Sequence, residues 1–98
     1  MSICRVAFRE WFGLSRAQAE ILSALYETHD RFLGADELAR LGGVTRVSIS
    51  YQMVVLRQAL DAEAIDTERG LGYRLTDEGR AECRSAILQV GEELRRAS

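Results

Sequence analysis

Few residues of this chain have the type and spacing that covalent chemistry requires. Cys4 and Cys83 stand far apart, with no CxxC or Cys/His spacing around either. Two buried or half-buried thiols are therefore expected, rather than a disulfide or a metal site. His29 is the single histidine and is expected at the surface near a helix end, not as a ligand or a base. No nucleophile–base arrangement and no phosphate-cradling glycine loop stands out. No enzyme activity, cofactor or metal is expected. The chemistry that remains is recognition. Between Thr45 and Leu60, Arg46, Ser48, Ser50, Tyr51, Gln52 and Arg57 stand with no acid among them. Guanidinium forks suit phosphate oxygens and guanine edges, and a primary amide carries the donor–acceptor pair that matches adenine. Tyr51 and Val55 add apolar surface of the kind that packs on a thymine methyl.

The charge distribution sets that stretch apart. Formal net charge is −2, which is unfavourable overall for a polyanionic partner. Residues 1–16 carry Arg5, Arg9 and Arg16 against Glu10, giving +2. Residues 17–44 carry Arg31 and Arg40 against Glu20, Glu27, Asp30, Asp36 and Glu37, giving −3. Residues 45–60 carry Arg46 and Arg57 alone, giving +2. Residues 61–69 return to −3, with Arg69 against Asp61, Glu63, Asp66 and Glu68. All 13 basic residues are arginine, which suits bidentate contacts and can equally reflect genome base composition.

Ninety-eight residues, 47% of them apolar and 29% charged, fit one globular domain with one modest core. No apolar run approaches the ~20 residues that span a bilayer. Arg5, Arg9 and Glu10 interrupt the first twelve residues too often for a signal peptide. A cytoplasmic protein without a membrane partner is expected.

The elements that must position the polar stretch are legible in the spacing. Ile3, Val6, Ala7 and Trp11, with Phe8 and Phe12 beside them, predict an apolar helix over 1–12, stopped by Gly13. Ser15 and Gln18 have the spacing of a capping box, opening a helix whose inward stripe is Ile21, Leu22 and Leu25. Phe32 and Leu33 form a brief extended segment. Gly34 caps the next helix, with Leu38, Ala39 and Leu41 inward, and Gly42-Gly43 ends it in a tight turn. Thr45 caps a third helix, in which Ile49, Met53, Leu56 and Leu60 share one face. Val47, Tyr51, Val54, Val55 and Gln58 then point outward, so this helix needs a partner, either another helix of the chain or another molecule. Ile65-Asp66-Thr67 and Tyr73-Arg74-Leu75 alternate as strands around a glycine-rich turn, with Arg69 at its tip. Thr76 caps a final helix over 76–97, with the stripe Cys83, Ile87, Val90 and Leu94. Two short helices joined by a glycine turn, followed by a hairpin, predict a mainly α domain of winged helix-turn-helix type: a single domain over 1–98 with its core at 14–75.

From Leu14 to Leu75 the sequence resembles the effector domain of OmpR/PhoB-type response regulators. Leu14-Ser15, Glu20-Ile21-Leu22 and Leu25 match its opening helix. Ile49, Met53, Leu56-Arg57 and Leu60 match its recognition helix. The stretch from Ile65 to Leu75 fits the family's wing pattern I-x-T-x-R-G-x-G-Y-R-L throughout. The resemblance implies double-stranded DNA as partner, with the recognition helix in the major groove and the wing over the minor groove. By position it makes Ser50, Tyr51 and Gln52 groove-facing and Arg69 the wing arginine. Val54 and Val55 stand where that family usually has basic residues, and Gly42-Gly43-Val44 is shorter than its interhelical loop. Leu75-Thr76-Asp77-Glu78-Gly79 running into a long helix is more like MarR- or PadR-type regulators, whose terminal helices form the dimer.

The expected DNA-contacting residues are therefore Arg46, Ser48, Ser50, Tyr51, Gln52, Val55, Arg57 and Arg69. A homodimer is expected through Phe8, Trp11, Ile87, Val90 and Leu94. The competing reading is a winged-helix module that binds a protein partner instead of DNA.

Overall fold

The computed structural model describes residues 3–29 and 31–97. Met1 and Ser2, which the sequence assigns to the first helix, lie outside them, as do Asp30 and Ser98. Among the described residues the order is α1 (Ile3–Phe12), α2 (Arg16–Glu27), α3 (Ala35–Gly42), α4 (Ile49–Ala59), β1 (Ile65–Glu68), β2 (Gly72–Leu75) and α5 (Asp77–Ala97). None of these helices is long and apolar enough to cross a membrane.

Local chemistry places the boundaries. Gly13, at φ 66°, ends α1. At the start of α2 the Gln18 N–H donates to Ser15 Oγ at 3.2 Å, and the Ser15 N–H donates to Gln18 Oε1 at 3.0 Å, a complete capping box. The end of α2 is held from a distance. Arg80, in the first turns of α5, donates to the carbonyl oxygens of Tyr26 at 2.8 Å and Thr28 at 2.6 Å, neutralising the exposed end of the helix dipole. Gly43 closes α3, its N–H directed at the Ala39 and Arg40 carbonyls. Between α3 and α4 the chain makes a 3₁₀ turn, Arg46–Ser48, where the sequence predicts helix directly after Thr45. The Thr45 side chain makes no cap bond there; the Ser48 hydroxyl instead donates to Thr45 O at 2.7 Å.

The hairpin pairs Ile65 with Leu75 and Glu68 with Gly72 in antiparallel register. Leu33 joins its edge by two backbone bonds to Tyr73, at 2.8 and 2.9 Å. This close approach makes Gly72 obligatory, because a Cβ there would lie 2.1 Å from Leu33 O, and its φ of +117° is poorly open to other residues. Thr76 caps α5 by accepting the Gly79 N–H at 3.1 Å and donates its hydroxyl proton to Glu63 O at 2.7 Å. That pulls α5 onto the chain before β1, so closely that a Cβ on Gly79 would lie 2.2 Å from Ala64 O.

One core joins all the helices. Phe8, Ile21, Leu22, Leu25, Leu38, Ile49, Met53, Leu56 and Cys83 are fully buried. α1 packs on both α2 and α5, and Phe8 meets Tyr26 edge-on at 6.0 Å. The packed faces are settled by the neighbouring helices, and Leu41 and Leu60 depart from the expected inward stripes. On α1, Ala7 and Phe8 are buried while Trp11 is 49% exposed, because Cys4 and Phe12 complete the packed face. On α3 the face runs through Leu38, Ala39 and Gly42, with Gly42 against Ile21, so Leu41 turns out to solvent at 48% exposure. Leu60 is only half-buried, since α4 ends one residue before it.

Candidate nucleic-acid interface

α4 is fixed from behind by Ile49, Met53 and Leu56, all buried. Its opposite face stays open: Val47, in the preceding turn, is 87% exposed, Tyr51 64% and Val54 50%. Ser50 is exposed as well, while Ser48, Gln52, Val55 and Arg57 are half-buried. Among the described residues no helix covers Val47, Tyr51 or Val54, although the sequence left that arrangement open.

The arginines expected to contact phosphates are partly engaged. Arg57 turns back on the wing: its guanidinium donates to Thr67 Oγ1 at 2.6 Å and to Ile65 O at 3.1 Å, tying the end of α4 to β1. Arg46 pairs with Asp36 of α3 at 2.7 Å, an exposed pair that a stronger anion can displace at small cost. Arg69 differs from both. It is exposed at the hairpin tip and makes no hydrogen bond or ion pair among the described residues. The Leu71 N–H closes the turn on Glu68 O at 3.0 Å, and Gly70 supplies φ +83°.

Gln52 is also engaged. Gln18 Nε2, beyond its capping role, donates to Gln52 Oε1 at 3.1 Å. The amide expected to offer both a donor and an acceptor has its oxygen turned to Gln18, with one of its two lone pairs taken inside the chain. No signal in a single sequence marks this link, or the Arg57–Thr67 and Arg80–Tyr26 bonds.

The residues expected to form a dimer divide. Phe8 and Val90 lie in the chain's own core, at 0% and 3% exposure. For these two the expectation is corrected: both are taken up by the core, Phe8 against the ring of Tyr26 on α2, and neither is left outward. Trp11 and Leu94 are about half exposed and Ile87 is half-buried. Leu88, which the sequence reading did not single out, is more exposed than any of them. The cysteines do not pair: Cys4 is half-buried, and burial pushes the Cys83 thiol up to about 12. No group of three or more His, Cys, Asp or Glu side chains among the described residues could hold a metal ion.

A solved structure with this arrangement is the MarR family protein Rv2887 of Mycobacterium tuberculosis. It superposes with a TM-score of 0.56 at 27% identity, over 97% of this chain and 69% of that one. The chain is a winged helix-turn-helix protein. No protein-family model and no curated protein matches the sequence. The structural likeness extends beyond the α2–β2 core, where the OmpR/PhoB-like motifs lie, and takes in the terminal helices α1 and α5.

Proposed function

We propose that this winged-helix protein binds double-stranded DNA as a transcription regulator, more a repressor or accessory factor than an activator, and works as a homodimer. The observation that carries this reading is the open face of α4: an acid-free helix, rigidly backed by the core, with Tyr51 and Val54 left exposed among the described residues. In this reading α4 enters the major groove with Ser50, Tyr51 and Gln52 toward base edges, and the 3₁₀ turn carrying Arg46 and Ser48 lies along a phosphate strand. Val55 packs at the edge of the same face. Arg69 reaches the minor groove or its backbone from the wing tip, as the OmpR/PhoB-like motif implies. Arg57 acts indirectly, by holding the wing to α4. The subunits pair through Trp11, Ile87 and Leu94 on the terminal helices.

A second reading has its own support. Net charge is −2, and two of the three nominated arginines are occupied within the chain, which favours a protein groove as the partner of the valine-rich face. Titration against random-sequence duplex at two salt concentrations separates the two. DNA binding with a shallow salt dependence, equivalent to a few phosphates per subunit, is expected. The absence of binding at low salt would leave the protein-interaction module.

A further inference from the structure

The hydrogen-bond chain from Ser15 to Gln52 determines which end of the Gln52 amide is left to face a partner. A side-chain amide can ordinarily turn over and exchange its oxygen and nitrogen, so its orientation must be argued from its neighbours. A backbone group fixes it here. The Ser15 N–H can only donate, so the Gln18 atom 3.0 Å from it is the oxygen, Oε1. The other end of Gln18 is then the NH₂ group, which can only donate, and it lies 3.1 Å from Gln52. The Gln52 atom receiving it is therefore Oε1. Gln52 keeps Nε2, with its two N–H groups, to offer outward.

This changes what the residue can read. A glutamine pairs with adenine by donating to N7 and accepting from the N6 amino group, which needs oxygen and nitrogen side by side on the base edge; here Oε1 is turned to Gln18, with one of its two lone pairs taken. Guanine presents two acceptors in the major groove, N7 and O6, and an amide that leads with its NH₂ group suits that edge. We propose that Gln18, from the capping box of α2, sets the base preference of Gln52, directing it to an acceptor-only edge, guanine first, and away from adenine. Gln18 is a positioning residue here and touches no base itself. The inference rests on the DNA-binding reading above and replaces the adenine contact expected from the sequence.

The test is Gln18→Glu. Glutamate serves a capping box as well as glutamine does, so the start of α2 is preserved. One carboxylate oxygen accepts from Ser15 and the other now faces Gln52. Gln52 must turn its NH₂ group inward and present Oε1, which suits the amino group of cytosine or adenine. Selection from a randomised duplex pool should show the preferred base at one position change from guanine to cytosine or adenine, with the guanine preference falling roughly three- to tenfold, the range of one hydrogen bond. Preference, not affinity, is the readout, since the added charge weakens all sequences alike. Gln18→Ala, which leaves both ends of Gln52 available, should admit adenine. Amide proton exchange of ¹⁵N-labelled protein reads the polarity without DNA: the Gln18 NH₂ should exchange slowly in the native protein, and the Gln52 NH₂ in the Gln18→Glu variant. A native protein that selects adenine, or variants with unchanged base preference, would overturn the proposal while leaving DNA binding intact. A native protein that binds no duplex would overturn both.

Discussion

Arg57 and Arg69 are the same side chain with opposite attachments, and substituting each separates structure from recognition. Arg57 is bonded to β1 through Thr67 and the Ile65 carbonyl. Arg57→Ala should lower stability by about 1–2 kcal/mol, visible in thermal unfolding, because it frees the wing and strands a carbonyl. Arg69 bonds to nothing described, so Arg69→Ala should leave the melting temperature unchanged and weaken DNA binding. Unchanged affinity would remove it from the interface. Cys83 gives a pH test. Its thiol is held at about 12 against an ordinary 9.0, chiefly by burial. Above pH 9 the unfolded thiol ionises while the folded one stays protonated, so the folded state holds the proton more tightly. Its contribution is complete below about pH 9 and is lost as pH rises toward 12. Denaturant titrations across that range should show a steeper loss of stability for the native protein than for Cys83→Ala.

At the scale of elements, the glycines that allow close approach should dominate the wing and the last helix. Gly72→Ala and Gly79→Ala each drive a methyl group into a carbonyl oxygen, at 2.1 and 2.2 Å. Each should cost roughly 2–4 kcal/mol by denaturant unfolding. Gly91→Ala, with nothing within 4 Å of the added carbon, should be neutral or slightly stabilising. A glycine near position 72 was legible beforehand, because hairpin turns have a local signature, but the approach of Leu33 O that makes it obligatory was not. Nor was the need at Gly79, because the atom it avoids belongs to Ala64, on the far side of the hairpin. The same division runs through the candidate site. The Ser15–Gln18 box, the glycine stops, the wing and the inward face of α4 are written in spacings of a few residues. The Gln18–Gln52 bond and the engagement of Arg57 join elements that only the tertiary fold brings together. Leu41 was misplaced for a related reason: a periodic pattern gives a helix an apolar face, but the neighbouring helix decides its rotation.

At the scale of the whole molecule, α1 and α5 are both backing for the core and the proposed seam between subunits. Phe8 and Val90 are committed to the core, which leaves Trp11, Ile87 and Leu94 as the outward surface. Light scattering at high micromolar concentration should report a dimer, and Leu94→Asp should yield a monomer of unchanged helicity. A native monomer would remove the dimer.

The packing of α1 on α5 also bears on how the chain is made. During synthesis α1 emerges before α2, yet the 21 residues of the helix that covers it emerge only after β2. Until then Ala7 and Phe8 have only α2 to shelter them, and the carbonyls at the end of α2 lack Arg80. The nascent chain should therefore expose apolar surface until α5 is made, and a transcript cut short before α5 should yield a product for chaperones and proteases, not a smaller folded domain.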